Sequence, residues 1–231
     1  MNTNKFNATT IYQSLLQLRF CNQGRDLKQE QDILTLFKFH GFEEITLSAK
    51  HKTKHEKQLI DSGKGLFSKL SREYKTGLYI CHHPYGKNRY PDFFIIINGN
   101  ILEFEAKSAS GDNPIFSQGD KVVDPTRRDV FYLFTHRDQG SSLLLAEDLI
   151  TPENYLLIMK HKQERLKLQQ KHDKEFNRVC KGKGEKVYHR TNLTPRGGHD
   201  ITNHIFRARK YNLNKKAFLL LKSYEYNCTL S

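Results

Sequence analysis

The sequence predicts a mixed α/β (α+β) protein with one central β-sheet flanked by helices. Three observations carry that expectation. Patterns along the chain run helix, strands with a hairpin, then a long helix. The middle of the chain holds apolar segments bounded by turn residues, "FFIII", "VFYLFTH" and "SSLLLAEDL". The chain has 231 residues, with 15 Phe and 11 Tyr and no Trp, enough to build one large core.

The first helix is expected over residues 25–40, "RDLKQEQDILTLFKFH". Leu27, Ile33, Leu34 and Phe37, together with Glu30, fall close to one face at a period of 3.6 residues. Gly41 follows as a C-terminal stop. "GFEEITLSAK" then reads as a strand or extended segment. Residues 50–76 are strongly basic, with a short helix around Leu66 to Tyr74. A hairpin occupies Tyr90 to Ala109, and two more buried strands follow at 130–136 and 141–149. Thr151 is a good N-cap and Pro152 suits the first helical position. They should open a long helix that is apolar at first and then charged almost all round. Beyond it the chain is rich in Lys, Arg, Asn, His and Gly, and "AFLLLKSYEYN" closes it as a strand or short helix. The organisation expected is a core over residues 1–150 and a helix plus basic region over 151–231, as a second unit or within the same domain.

Charge is the first functional clue. Lys and Arg number 38 against 25 Asp and Glu, a net of +13. A chain this basic is drawn to polyanions, and nucleic acid is the natural one for a chain with no amphipathic anchor. No apolar run approaches the roughly 20 residues that span a bilayer. The segment "MNTNKFNATT" lacks the apolar stretch of a signal peptide. The expectation is a soluble, cytoplasmic protein with no membrane partner. Cys21, Cys81, Cys180 and Cys228 are far apart, as free thiols in a reducing compartment would be. Cys81 stands beside His82 and His83, but the sequence offers no second Cys/His cluster to complete a zinc site.

The hairpin "YPDFFIIINGNILEFEAKSA" carries the chemistry. Asn98-Gly99 suits a type I′ turn, which needs positive φ at both central residues. If they form the loop, Ile97 faces Asn100, 95 pairs with 102, 93 with 104, and Asp92 with Glu105. Their Cβ atoms would then lie about 4.5–5.5 Å apart on one face, with Lys107 two residues on. Opposed carboxylates repel, so a hairpin would not choose them for stability. The arrangement makes sense around a divalent cation, and hard oxygens at that spacing suit Mg²⁺. A lysine beside the ion can hold an attacking water and stabilise developing charge. A one-residue slip would send Asp92 to the other face. The alternative is a half-exposed strand whose Glu103, Glu105 and Lys107 are merely solvated.

Pro91-Asp92, twelve residues, then Glu105-Ala106-Lys107 resembles the motif of the PD-(D/E)xK nuclease superfamily. With the preceding helix and the crossover after the hairpin, the resemblance covers roughly residues 24–150. Size, basic charge and the idiosyncratic C-terminal part are similar to those of a type II restriction endonuclease. The resemblance implies a restriction-endonuclease-like core with a central mixed sheet flanked by helices. It implies Asp92 and Glu105 as Mg²⁺ ligands and Lys107 as the residue that orients the nucleophilic water. It also implies a further acid from the helix before the hairpin, which makes Glu30 the candidate. Glu103 lies on the same face but outside the motif. The reaction implied is Mg²⁺-dependent hydrolysis of double-stranded DNA to 5′-phosphate and 3′-hydroxyl ends.

Base edges are read by Arg, Lys, Asn and Gln. Residues 181–210 offer Arg190, Asn192, Arg196, His199, Asn203, Arg207 and Arg209 for contacts to DNA. The loop "SASGDNPIFSQGDK" lies near the cleavage motif in sequence, and Tyr85, Lys87, Asn88 and Arg89 are candidates for backbone contact. His82 and His83 either approach the scissile phosphate or cap a loop, the second being favoured. A restriction enzyme would work beside a cognate DNA methyltransferase, with a homodimer on DNA left open. The rival readings are a non-specific, repair or junction-resolving nuclease with the same core, and a DNA-binding module without catalysis.

Overall fold

A computed structural model describes residues 6–18, 27–47, 64–86, 90–109, 129–137, 140–149, 152–180 and 210–227. It is a mixed α/β fold. The elements run α1 (Ala8–Gln17), α2 (Leu27–Phe39), β1 (Glu43–Ile45), α3 (Lys64–Glu73), β2 (Leu78–His82), β3 (Phe93–Ile97), β4 (Asn100–Ala109), β5 (Val130–His136), β6 (Gly140–Leu145), a short 3₁₀ turn (Ala146–Asp148), α4 (Pro152–Cys180) and α5 (Lys210–Asn227). Strand order in the six-stranded sheet follows the chain, β1 to β6. β1 is parallel to β2, β2–β3–β4 form an antiparallel meander, β4 is parallel to β5, and β6 returns antiparallel.

Helix α1 is not visible in the sequence pattern. Asn7 caps it, its side-chain oxygen accepting from the Thr10 N–H at 2.9 Å. Ala8, Ile11 and Leu15 are its buried stripe. Helix α2 falls where expected, with Ile33, Leu34 and Phe37 buried. It ends at Gly41, whose φ of 86° lets the Phe42 N–H return to the Phe37 carbonyl at 3.1 Å. Strand β2 is not evident in the sequence, because "GLYICHH" is too short and too polar at its end to declare its period. The closing segment is neither a strand nor a short helix but part of an 18-residue helix.

The two faces of the sheet carry separate cores. Phe93, Ile95, Ile97, Leu102, Phe104, Ala106, Phe131 and Leu133 pack with Ile11, Leu15, Ile33, Phe37, Ala217 and Leu221 under α1, α2 and α5. On the other face, Phe94 and Cys81 pack with Leu70 and Phe67 of α3. The C-terminal helix α5 therefore shares a core with the strands of the middle of the chain. Asn214 on α5 fixes it to edge strand β6, its side-chain oxygen accepting from the Leu143 N–H at 2.7 Å and the Ser142 hydroxyl at 2.8 Å. Tyr224 on the same helix donates to the Asp129 carboxylate just before β5. Helix α4, by contrast, is exposed along nearly all its length, with Leu156, Leu168 and Val179 in solvent. Among the described residues, no helix is long and apolar enough to cross a membrane.

Candidate active site

The hairpin folds in the expected register. Asn98 and Gly99 both have positive φ, at 46° and 77°. Ile97 faces Asn100, Ile95 faces Leu102 and Phe93 faces Phe104. At the open end β4 runs on beside β5 after its pairing with β3 has stopped. Asp92 stands in that fork. Its N–H donates to Glu105 Oε2 at 3.1 Å, and its own Oδ2 accepts from the Ala106 N–H at 2.9 Å. The carboxylate thus occupies the position a β3 carbonyl would have taken had the strand continued. Lys107 Nζ contacts Glu105 Oε1. Gln29 at the start of α2 donates to the Lys107 carbonyl at 3.4 Å.

Strand alternation puts Glu103, Glu105 and Lys107 on one face, but they are not a solvated face. Glu103 and Glu105 are each 1% exposed, while the Lys107 side chain is 27% exposed. Burying two carboxylates together is expensive unless something positive joins them. The strain is visible at Asp92, whose carboxyl is pushed up to about 7. Burial is the largest cause, followed by the Glu105 charge, with Lys107 and the Ala106 N–H pulling the other way and Glu30 adding to the rise.

The donors fit a hard dication. Asp92 and Glu105 each commit an oxygen to a backbone N–H, which aims the carboxylates, and together they bring the negative charge that one half-buried lysine only partly offsets. Mg²⁺ held by both would remove the repulsion that raises Asp92.

Glu30 is buried at 8% exposure, near enough to influence Asp92. Its Oε2, however, is engaged on the α2 side of the sheet, 3.0 Å from the Nε2 of both His82 and His83. The sequence favours these histidines as loop caps. Their backbone does build a turn, since the Gly86 N–H donates to the His83 carbonyl at 2.9 Å, but their rings converge on Glu30. The adjacent Cys81 faces away, buried against Leu70 and Phe94. No sequence signal pairs Glu30 with histidines about 50 residues on, because the placement of α2 against β2 joins them. Gln29 escapes sequence reasoning for the same reason. Arg190, Asn192, Arg196, His199, Asn203, Arg207 and Arg209 lie outside the described residues, as do Lys87, Asn88, Arg89 and residues 110–121.

No family model matches the chain, and neither the curated proteins nor the solved structures yield a match.

Proposed function

We propose that the protein is a Mg²⁺-dependent endonuclease that hydrolyses phosphodiesters of double-stranded DNA, with a type II restriction enzyme as the specific form. The reading rests on one observation above all. The half-buried Asp92 and the buried Glu105 lie side by side at the open end of the hairpin, with Lys107 against Glu105. A sheet gains no stability from that set, and cation-assisted phosphoryl chemistry needs it. The net charge of +13 supplies the attraction to a polyanion.

Asp92 and Glu105 would hold the ion, which supplies positive charge to the phosphate and lowers the pKa of a bound water. The rest falls to the chain's own groups. The two backbone N–H groups keep both carboxylates fixed, so no reorganisation is needed as charge develops. Lys107, partly open to solvent, can donate to the attacking water and to a non-bridging phosphate oxygen. Gln29 steadies the Lys107 backbone. In-line attack by that water would leave a 5′-phosphate and a 3′-hydroxyl. A homodimer on DNA and a cognate methyltransferase belong to the restriction form of the reading.

Incubation with plasmid DNA and Mg²⁺ tests it. Discrete fragments support a restriction enzyme, and a smear keeps the nuclease but removes the sequence specificity. No cutting over a range of substrates and salt would sink the proposal.

A further inference from the structure

The second polar cluster lies on the other side of the same strand end. His82 closes β2 on the α2 face, its ring stacked on Phe93 at 4.9 Å between centroids. His83 follows with φ at 47°, a left-handed conformation that a non-glycine residue adopts at some energetic cost. That turn brings the His83 ring beside His82, stacked at 3.9 Å. Its N–H donates to the Asp92 carbonyl at 2.7 Å, so the backbone is held where it turns. Glu30 arrives from α2, and the three donor atoms lie within 4.8 Å of one another.

We propose that Glu30, His82 and His83 form a binding site for a borderline transition-metal dication of the Zn²⁺ or Co²⁺ kind, distinct from the Asp92–Glu105 pair. Two imidazole nitrogens and one carboxylate oxygen are the ligand types such ions take, whereas Mg²⁺ prefers oxygen alone. An ion about 2.1 Å from each ligand holds adjacent ligands roughly 3.0–3.4 Å apart. The Glu30 oxygen already sits 3.0 Å from both nitrogens. Three protein ligands leave room for water, and burial of Glu30 shields the site from exchange with bulk solvent. The neighbouring Cys81 is not a ligand, because it points into the α3 core. The site stands on its own geometry and does not depend on the nuclease reading.

Co²⁺ added to the metal-free protein, with no DNA present, is the probe. With excess Mg²⁺ present to fill the Asp92–Glu105 pair, visible d–d absorption should still appear and saturate at one equivalent, and Zn²⁺ should displace the Co²⁺. His83→Ala and His82→Ala should each weaken this binding by more than the ~10–100-fold typical of losing an outer hydrogen bond to a ligand. Asp92→Asn should leave the band in place. If the alanine variants fail to fold, hyperfine-shifted imidazole resonances in the unaltered Co²⁺ protein decide the matter, with two histidines expected. Absence of a Co²⁺ band, binding that persists without His83, or binding that vanishes with Asp92→Asn would overturn the proposal. Because the readout involves no cleavage, a protein that binds Co²⁺ here yet never cuts DNA would separate this inference from the nuclease reading.

Discussion

At the tip of the β3–β4 hairpin every polar feature serves the turn. Asn98 accepts from the Gly77 N–H at 2.8 Å through its side chain and donates its own N–H to the Gly77 carbonyl at 2.9 Å. Gly99 takes a positive φ against the backbone of α3. At the open end, a half-buried carboxylate and a buried one repel each other, and the first is driven toward neutrality. The same two strands thus carry a locally satisfied end and a frustrated one. Frustration that the fold maintains with two dedicated backbone hydrogen bonds is what the proposed cation would relieve. The tip fixes the register, and the register is what sets Asp92 against Glu105.

The comparison breaks most easily at the open end. Asp92→Ala and Lys107→Ala should each lower Mg²⁺-dependent DNA cleavage by on the order of 10³-fold, the scale of losing a metal ligand or a charge-stabilising donor. Circular dichroism should show both variants folded. Cleavage at the unaltered rate by either purified variant would show that the frustrated end is not the reactive one.

At the tip, the largest effect belongs to Gly99→Val. A Cβ there would meet the Ser71 carbonyl oxygen at 2.9 Å, on a backbone with φ of 77°. A β-branched residue at that φ should destabilise the protein by about 2–3 kcal/mol, read as a lower midpoint in urea. Activity should fall only in proportion to the folded fraction. A stable Gly99→Val protein would mean the turn does not hold the register.

Much of this contrast is legible in the amino-acid sequence, and the reasons divide by distance along the chain. Asn98-Gly99 announces its turn because positive φ at two successive positions restricts the residue types. Pairing across a two-residue loop then follows by counting, which places Asp92, Glu105 and Lys107 together. Helix α2 shows its period, and β5 stands out as an apolar run. Burial is not legible. Glu103 and Glu105 alternate with apolar residues as they would on a wet face, and tertiary packing makes them dry. The histidine cluster is hidden for a different reason. Its third member comes from a helix whose docking on β2 is a tertiary event, and "CHHP" reads as a turn when taken alone.

Protonation gives a smaller test of the open end. Asp92 titrates near 3.8 when unfolded and is pushed up to about 7 in the fold, chiefly by burial and then by Glu105. The folded state therefore holds more protons than the unfolded state between those values. By linkage its stability falls as pH rises through that window, and the penalty is complete above about 7. For the metal-free protein, the contribution amounts to about 1–2 kcal/mol once screening by Lys107 and solvent is allowed for. Thermal unfolding at pH 5 and pH 8 should show the loss, Mg²⁺ at pH 8 should reverse it, and Asp92→Asn should flatten the slope. A slope that is unchanged in Asp92→Asn would place the titrating group elsewhere.

The finest test asks whether the two ends are independent beyond their shared register. Asn98→Gly keeps a residue that accepts positive φ while removing the side-chain oxygen that takes the Gly77 N–H. The loss of one exposed hydrogen bond, together with the added freedom of the unfolded chain, should cost about 1 kcal/mol. Since the Gly77 N–H can turn to water, the register should survive, and with it the placement of Asp92 against Glu105. Cleavage per folded molecule should match the unaltered protein, and the pH slope should remain. A drop in cleavage without a matching drop in folded fraction would mean that strain at the tip is transmitted along β3 to the carboxylates. In that case the satisfied end would be a working part of the frustrated one rather than its clamp.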